Sequence, residues 1–143
     1  MVYKEAIQEI TMATIKLYTD IEQSKKLAEI LPLESADMFC ADVFDKEKET
    51  HSYNFHILST WGCNTFEELK DRENKFVCFI PCWSLAALFG ILNENKICHY
   101  NDRYYCQYMN EGDEFPIYST AEYDNPVDAC VDMAEKLHKL NLL

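Results

Sequence analysis

The sequence predicts one α+β domain with an antiparallel sheet of about five to six strands. An N-terminal helix or helix pair, a buried central helix and a C-terminal helix are expected around the sheet. Three observations support this fold class. Segments near both ends repeat apolar residues at helical spacing, and the segments between them alternate at a period of two or are short and wholly apolar. The connections are too short for the repeated crossovers of a parallel sheet. With 143 residues, the chain has the length of a single domain, residues 1–143.

The first segment repeats apolar residues at spacings of four and three, which predicts an amphipathic helix. These residues are Tyr3, Ile7, Ile10, Thr14, Leu17 and Ile21. Residues 1–19 are therefore expected to form a helical N-terminal extension. Asp20 and Gln23 have the spacing of a capping box, in which each side chain bonds the other residue's backbone N–H. They predict a second helix that ends before Pro32.

The next segment predicts a β-hairpin. Residues 38–44 are apolar and too few for a surface helix, and the charged residues 45–50 that follow indicate an exposed turn. Beyond the turn, Tyr53, Phe55 and Ile57 alternate with polar residues, which is typical of a half-buried strand. We therefore expect two antiparallel strands joined by this turn.

A short helix and a strand are predicted next. Thr65 and Glu68 repeat the spacing of a capping box and indicate a helix over residues 66–71. The apolar residues 76–80 predict a strand. Pro81 is expected to end that strand, because proline has no N–H to donate to a neighbouring strand.

The central helix is predicted over residues 83–92, where Ser84 is the only polar side chain. A helix that is apolar on all sides must be buried or form an interface. Ser84 lies at the expected helix start, and the sequence around it contains no nucleophile elbow, so a capping role is favoured over a catalytic one.

The last third predicts a three-stranded meander over residues 96–100, 103–109 and 115–119, with Asn101 and Asp102 as a two-residue turn. A final helix follows, because Asn125 and Pro126 suit the N-cap and the first helical position. One face of this helix is expected to carry Val127, Cys130, Val131, Ala134, Leu137 and His138.

The charge balance excludes two classes of direct partner. The chain has 13 Lys and Arg against 25 Asp and Glu, a net charge of −12, which argues against binding to a nucleic-acid backbone or an anionic membrane surface. The longest apolar segment, residues 85–92, is shorter than the roughly 20 residues that span a bilayer. The seven cysteines are odd in number and follow no signal-peptide pattern, so we expect reduced thiols and a cytoplasmic protein.

Side chains that could form a zinc site or a cysteine–histidine hydrolase are present, but they match no known motif. The zinc candidates are Cys78, Cys82, Cys98, His99 and Cys106, and the hydrolase candidates are Cys63, Cys98, His51, His56, His99 and His138. Cysteine in an apolar strand usually packs as a small hydrophobic residue. Three isolated glycines cannot form a phosphate-binding loop. We therefore assign no catalytic, cofactor-binding or metal-binding residue.

The clearest functional feature is an acidic stretch. Residues 104–135 contain eight acids and no Lys or Arg. Together with Tyr105 of the aromatic strand, these acids form the candidate interaction surface: Glu111, Asp113, Glu114, Glu122, Asp124, Asp128, Asp132 and Glu135. The alternative interpretation is a solvated helix face and its flanking loops.

Three stretches together resemble a family of uncharacterised small proteins encoded on prophages and conjugative elements of gut anaerobes. They are EQSKKLAEILPLESADM at 22–38, IPCWSLAALFGIL at 80–92 and YDNPVDACVDMAEKLH at 123–138. In that family P-A-W-S-L precedes an apolar helix, and D-N-P-[VI]-[DE]-A opens a C-terminal helix. Pro81, Trp83, Ser84 and Leu85 match the first motif, with Cys82 in place of Ala, and residues 124–129 match the second.

The resemblance covers most of residues 20–143 and implies an accessory protein of a bacterial or phage cytoplasm, with no catalytic role to transfer. The favoured function is a non-enzymatic interaction protein of a phage or mobile element whose partner is another protein. A sharper version is an acidic inhibitor of a host protein. The alternative is a small metal-dependent or cysteine-based enzyme that uses Cys98, His99 or the carboxylates near Asp124.

Overall fold

The computed structural model describes residues 16–93, 95–109, 112 and 114–143. Within them lie four α-helices and six strands. The helices are α1 (Ile21–Ile30), α2 (Phe66–Lys70), α3 (Leu85–Ile91) and α4 (Pro126–Lys139). The strands are β1 (Met38–Asp45), β2 (Thr50–Ile57), β3 (Val77–Cys82), β4 (Asn95–Tyr100), β5 (Arg103–Tyr108) and β6 (Tyr118–Ser119). Two short 3-10 helices cover Leu33–Ser35 and Leu58–Trp61.

The α+β class is confirmed, but the strands form two sheets rather than one. Each sheet has three antiparallel strands, in the orders β2-β1-β3 and β4-β5-β6. The expected single sheet is wrong, since β3 and β4 are edge strands of different sheets and α3 connects them in the chain.

The N-terminal extension was predicted to be helical over residues 1–19. Residues 1–15 of that prediction lie outside the described part of the chain. Residues 16–19 are extended, and Tyr18 forms a bridge with Ser84. The backbone of this segment bonds residues that precede and begin α3: Thr19 N–H donates to the Trp83 carbonyl at 3.0 Å, and Leu85 N–H donates to the Leu17 carbonyl at 2.9 Å. These long-range bonds replace the helical ones that the local pattern predicted.

Helix α1 starts as predicted. The Asp20 side chain accepts from Gln23 N–H, and the Gln23 side chain accepts from Asp20 N–H, so the capping box is complete. The helix ends at Ile30, two residues before Pro32. At α2 the predicted helix is present, but Thr65 makes no side-chain cap bond.

The first sheet is covered on both faces. Phe39 and Phe79 pack on one face with Phe66 of α2, and Cys40 and Ile80 pack on the other face. Both faces of β1 are therefore buried near its start, which explains the wholly apolar sequence there.

Pro81 does not end β3, which continues to Cys82 and pairs Pro81 with Phe39. The prediction was wrong because β3 is an edge strand. A proline is tolerated at an edge, where its missing N–H can face away from the partner strand.

The second sheet is covered by α4. Asn101 and Asp102 both have positive φ, 49° and 59°, the two-residue turn that joins β4 to β5 as predicted. Cys106 is buried against Cys130 of α4, with 3.7 Å between the two sulfur atoms. The predicted third strand is confirmed only for Tyr118–Ser119.

Helix α4 buries the predicted face with one exception. Asn125 is the N-cap and Pro126 is the first helical residue, as expected. Val127, Cys130, Val131, Ala134 and Leu137 are buried, with Leu137 2% exposed. His138 is exposed, although Leu137 beside it in the last turn is buried. None of the helices in the described residues is long and apolar enough to cross a membrane.

The central helix is not buried as predicted. Leu88 is its only fully buried residue, and Phe89 is 49% exposed. Only one side of α3 contacts the core, which it shares with α4. The apolar residues on its other side are open to solvent.

Candidate functional site

The P-x-W-S-L motif builds a buried junction. Trp83 is fully buried, and three hydrogen bonds hold it: its N–H donates to Thr19 Oγ1 at 3.1 Å, its Nε1–H donates to Ser35 Oγ at 2.9 Å, and its carbonyl accepts from Thr19 N–H at 3.0 Å. Ser35 lies in the 3-10 helix that follows α1. Trp83 therefore joins the start of the described chain, the region after α1 and the start of α3.

Ser84 caps α3, as the sequence predicted. Its Oγ accepts from Ala87 N–H at 3.1 Å. Asp37 accepts from Ser84 N–H at 2.8 Å and also from the Ser84 hydroxyl. The hydroxyl is thus committed to a cap and to a carboxylate, with no imidazole among its described partners. This geometry is that of a structural serine.

The D-N-P-V-D-A motif joins α4 to α1. The Asn125 side chain accepts from Asp128 N–H at 2.9 Å. Asp128 in turn accepts from Gln23 Nε2 at 2.6 Å and from Lys16 Nζ at 3.0 Å. Lys16 also bonds Asp20 at 3.0 Å. The N-termini of the two helices, with one acid each, therefore share a single lysine.

The pKa values of both acids lie below the ordinary value of 3.8. Burial alone raises the pKa of Asp128, but hydrogen bonds from Gln23, Lys16 and Asn125 and the charge of Lys16 outweigh it. At Asp20, burial is likewise outweighed, by the Gln23 backbone bond and by Lys16. Both carboxylates are therefore ionised at neutral pH.

An acidic cleft of about 320 Å³ opens beside this junction, between α1 and α4. Five carboxylates line it: Asp20, Glu22, Asp128, Asp132 and Glu135. The other lining residues are Gln23, Lys26, Tyr123 and Val131. Tyr123 donates to Asp132 Oδ2 at 2.7 Å, and this bond raises the pKa of Tyr123 to about 12. No ion pair of Glu22 or Glu135 is present among the described residues. The cleft is therefore an electronegative pocket in which Glu22, Asp132 and Glu135 form none of the described ion pairs, and Lys26 is the basic residue among its described lining.

The structure places three of the predicted surface acids in this cleft: Asp128, Asp132 and Glu135. Glu122 and Asp124 lie instead near Arg103, which bonds the Asp124 carboxylate and donates to the Glu122 carbonyl at 3.0 Å. Glu114 is exposed elsewhere in the loop before β6. Glu111 and Asp113 lie outside the described residues. The described acids of the stretch are thus divided between the cleft, the surroundings of Arg103 and the loop that holds Glu114.

Tyr105 lies apart from the cleft. It is half-buried in β5 opposite Cys98, and its pKa is raised chiefly by the Cys98 side chain, with a smaller contribution from Glu122. The other face of β5 carries Tyr104, whose ring stacks on His99 with 4.4 Å between centroids. The stacked rings occupy the face that also carries the buried Cys106.

Among the described residues the metal candidates do not converge, and no described hydrogen bond joins a cysteine to a histidine. Among the described residues, no group of three or more His, Cys, Asp and Glu is placed to hold a metal ion. Burial raises the pKa of the Cys82 thiol to about 12, and the Cys106 pKa is raised by its bond with Cys130 and by burial. His51 bonds Asp42 at 2.7 Å rather than a cysteine.

Two parts of the cleft escaped the sequence analysis. Asp20 and Glu22 belong to the start of α1, where the spacing of Asp20 and Gln23 indicated only a helix cap. Lys16 is 112 residues from Asp128 in the sequence, and nothing in one sequence connects them. The sequence shows only those acids of the cleft that lie close together in the chain.

A second concave surface, the apolar groove, lies beside α3. It has a volume of about 800 Å³ and is lined by Leu17, Ser84, Leu85, Ala86, Phe89, Asn95, Lys96 and Ile97. The side chain of Asn95 places its Oδ1 out of reach of solvent and of any donor in the described chain. An unsatisfied buried acceptor costs about 1–3 kcal/mol.

Comparison with known protein families, with curated proteins and with solved structures finds no significant match.

Proposed function

We propose that this chain is a non-enzymatic interaction protein of a phage or mobile element, and that its acidic cleft receives lysine or arginine side chains of another protein. The observation that carries the proposal is the arrangement of Glu22, Asp132 and Glu135 around a pocket held open by the junction of α1 and α4. A volume of about 320 Å³ suits one or two long basic side chains rather than a whole peptide.

Hydrogen bonds within the cleft support this function. Gln23, Lys16 and Asn125 hold Asp128, and Tyr123 donates to Asp132, so these two carboxylates are positioned before a partner arrives. Pre-positioned charges increase the rate of encounter with an oppositely charged surface and fix its orientation. A host protein with a basic surface is the class of partner that fits, in keeping with an acidic inhibitor.

The test uses two variants of equal net charge. The cleft variant combines Glu22→Gln, Asp132→Asn and Glu135→Gln. The control combines Glu47→Gln, Glu67→Gln and Asp71→Asn. These three side chains are exposed and do not line the cleft. Binding of both to fluorescent peptides rich in Lys and Arg is measured by anisotropy, with peptides of neutral composition for comparison.

We expect the cleft variant to bind the basic peptides about tenfold more weakly than the parent, because three exposed ion pairs are lost. The control is expected to keep the parent affinity, and the parent affinity should fall as salt rises. Equal losses of affinity in both variants would show that only net charge matters. The proposal is contradicted if the parent does not bind the basic peptides, or if its binding does not depend on salt.

A further inference from the structure

The two edges of the first sheet differ in how they are protected. Along β3, Phe79 N–H donates to the Glu73 carboxylate at 3.0 Å, and Pro81 has no N–H to donate. Prolines and charged side chains at a sheet edge prevent another strand from pairing there. The opposite edge is β2, whose eight residues include neither a proline nor any Asp, Glu, Lys or Arg. This β2 edge therefore lacks the protection that β3 has.

Alternate residues of β2 direct their main-chain groups away from the sheet. Leu58, which follows β2, donates its N–H to the Asp37 carbonyl of the β1 side at 3.1 Å. Successive residues of an antiparallel strand point their N–H and C=O groups in opposite directions. The even-numbered residues therefore bond β1, and the odd-numbered residues face the β2 edge: His51, Tyr53, Phe55 and Ile57. Within the described part of the chain, no hydrogen bond involves the N–H groups of these four residues.

The side chains of the same four residues lie on one face of the sheet and are largely apolar. Tyr53 and Ile57 are 45% and 51% exposed. Phe55 is half-buried, and its ring lies 4.9 Å from the ring of Tyr18, measured between centroids. Exposed apolar side chains that adjoin one another mark interaction surfaces. Here they adjoin main-chain groups that a further strand would pair.

The distribution of charge indicates which strand fits. Residues 50–65 contain no Asp, Glu, Lys or Arg, although the chain has a net charge of −12. A second copy of the chain carries the same net charge and is repelled by acids elsewhere on the surface. It meets the least repulsion at the β2 edge. A two-fold arrangement also uses this edge on both copies, so it closes the assembly at two chains.

We propose that β2 pairs with β2 of a second copy of this chain, antiparallel and about a two-fold axis, so that two three-stranded sheets become one of six strands. Only one register pairs all four outward-facing residues with one another. In it the axis passes Asn54, Tyr53 lies opposite Phe55 of the second copy, and His51 lies opposite Ile57 of the second copy. The two Tyr–Phe pairs are cross-strand contacts of a stabilising kind. The acidic cleft takes no part in this interface.

The first test compares two variants that each replace an exposed apolar residue by lysine. Tyr53→Lys places the charge on the β2 edge, where lysine opposes strand pairing. The control, Val43→Lys, changes a residue that is 36% exposed in the central strand β1, on the other face of the sheet. Sedimentation over a wide range of protein concentration gives the mass. We expect two chains for the parent and the control, and a dissociation constant at least about tenfold larger for Tyr53→Lys.

The second test uses the parent alone and does not depend on the stability of a variant. Amide hydrogen exchange is followed at high and at low protein concentration. The amides of Tyr53 and Phe55 should be protected at high concentration and lose this protection on dilution, because their bonds are made to the second copy. The amides of Ser52 and Asn54 bond β1 and should stay protected at both concentrations.

The third test examines the register. In the proposed pairing, the two Asn54 residues face each other with about 4.5 Å between Cα atoms, a separation that a disulfide can span. The two Ser52 residues lie about 13 Å apart along the strands. With oxidised glutathione as oxidant, Asn54→Cys should therefore give a cross-linked dimer, whereas Ser52→Cys should give no more cross-linked product than the parent.

Four results overturn the proposal. In the first, the parent has the mass of one chain at every concentration. In the second, the amides of Tyr53 and Phe55 are protected equally at both concentrations, so the same chain covers the β2 edge. In the third, the two lysine variants dissociate equally, which shows an effect of charge alone. In the fourth, Ser52→Cys cross-links as well as Asn54→Cys, so the strands do not meet in this register.

Discussion

The N-termini of α3 and α4 differ in what surrounds the polar side chain that caps each of them. Ser84 follows a fully buried tryptophan and bonds Asp37, while Asn125 precedes Asp128, whose partners Lys16 and Gln23 are partly open to water. The first junction depends on packing and buried hydrogen bonds. The second depends on charge, so its stability should fall when Asp128 is protonated.

The largest effect is expected from Trp83→Ala. Removing this fully buried ring leaves a cavity and breaks the Nε1–H bond to Ser35 Oγ, which should lower the free energy of unfolding by about 3–5 kcal/mol. Urea unfolding measures the change. Phe115→Ala removes a ring that is 79% exposed and should cost no more than about 0.5 kcal/mol. Similar losses in both would show that Trp83 is not the anchor of the junction.

Asp37→Ala should have the next largest effect. It leaves the N–H and hydroxyl of Ser84 without the carboxylate that accepts from both, at a cost of about 1–3 kcal/mol. Asp71→Ala, at an exposed position after α2, is the control. A loss as small as that of the control would mean that water replaces the carboxylate, and that the junction is less buried than described.

Asn125→Ala tests the surface junction. It removes the side chain that accepts from Asp128 N–H, and the loss of an N-cap costs about 1 kcal/mol. Asn93→Ala, in the exposed turn after α3, should be close to neutral. We expect Asn125→Ala to lower the free energy of unfolding less than Asp37→Ala does. A larger loss for Asn125→Ala in urea unfolding would contradict the difference between the two junctions.

The smallest expected effect is a pH dependence specific to the surface junction. The pKa of Asp128 is lowered in the folded chain, so its contribution to stability is complete above the unfolded pKa of 3.8 and is lost as pH falls through the folded pKa. Asp128→Asn should lower stability at pH 7 by about 1 kcal/mol and flatten the decline below about pH 4. Thermal unfolding of the parent and of Asp128→Asn between pH 7 and pH 3 measures this difference. If stability falls equally with pH in both proteins, the prediction is refuted.

Local signals predicted most of the secondary structure. The Asp20–Gln23 capping box, the Asn101–Asp102 turn and the Asn125–Pro126 helix start involve residues within three positions of each other, so a single sequence shows them directly. Predictions failed where a distant element decided the outcome. Leu17 fits a helical repeat, yet its carbonyl bonds Leu85, 68 residues along the chain.

The candidate site divides in the same manner. The acids of residues 122–135 were evident from their order in the chain, but Arg103 and Lys16 pair with two of them in space. The count of acids therefore overstated the uncompensated charge of the stretch. It also missed Glu22, which α1 brings to the opposite wall of the cleft.

The sequence by itself determined the α+β class, the starts of α1 and α4 and the first hairpin, because these depend on side chains that act on the backbone a few residues away. Only the tertiary structure decided that the strands form two sheets, that α3 is half open and that five carboxylates share one cleft. Such features depend on contacts between elements far apart in the chain. The pattern of residues within one element does not specify which distant surface it will meet.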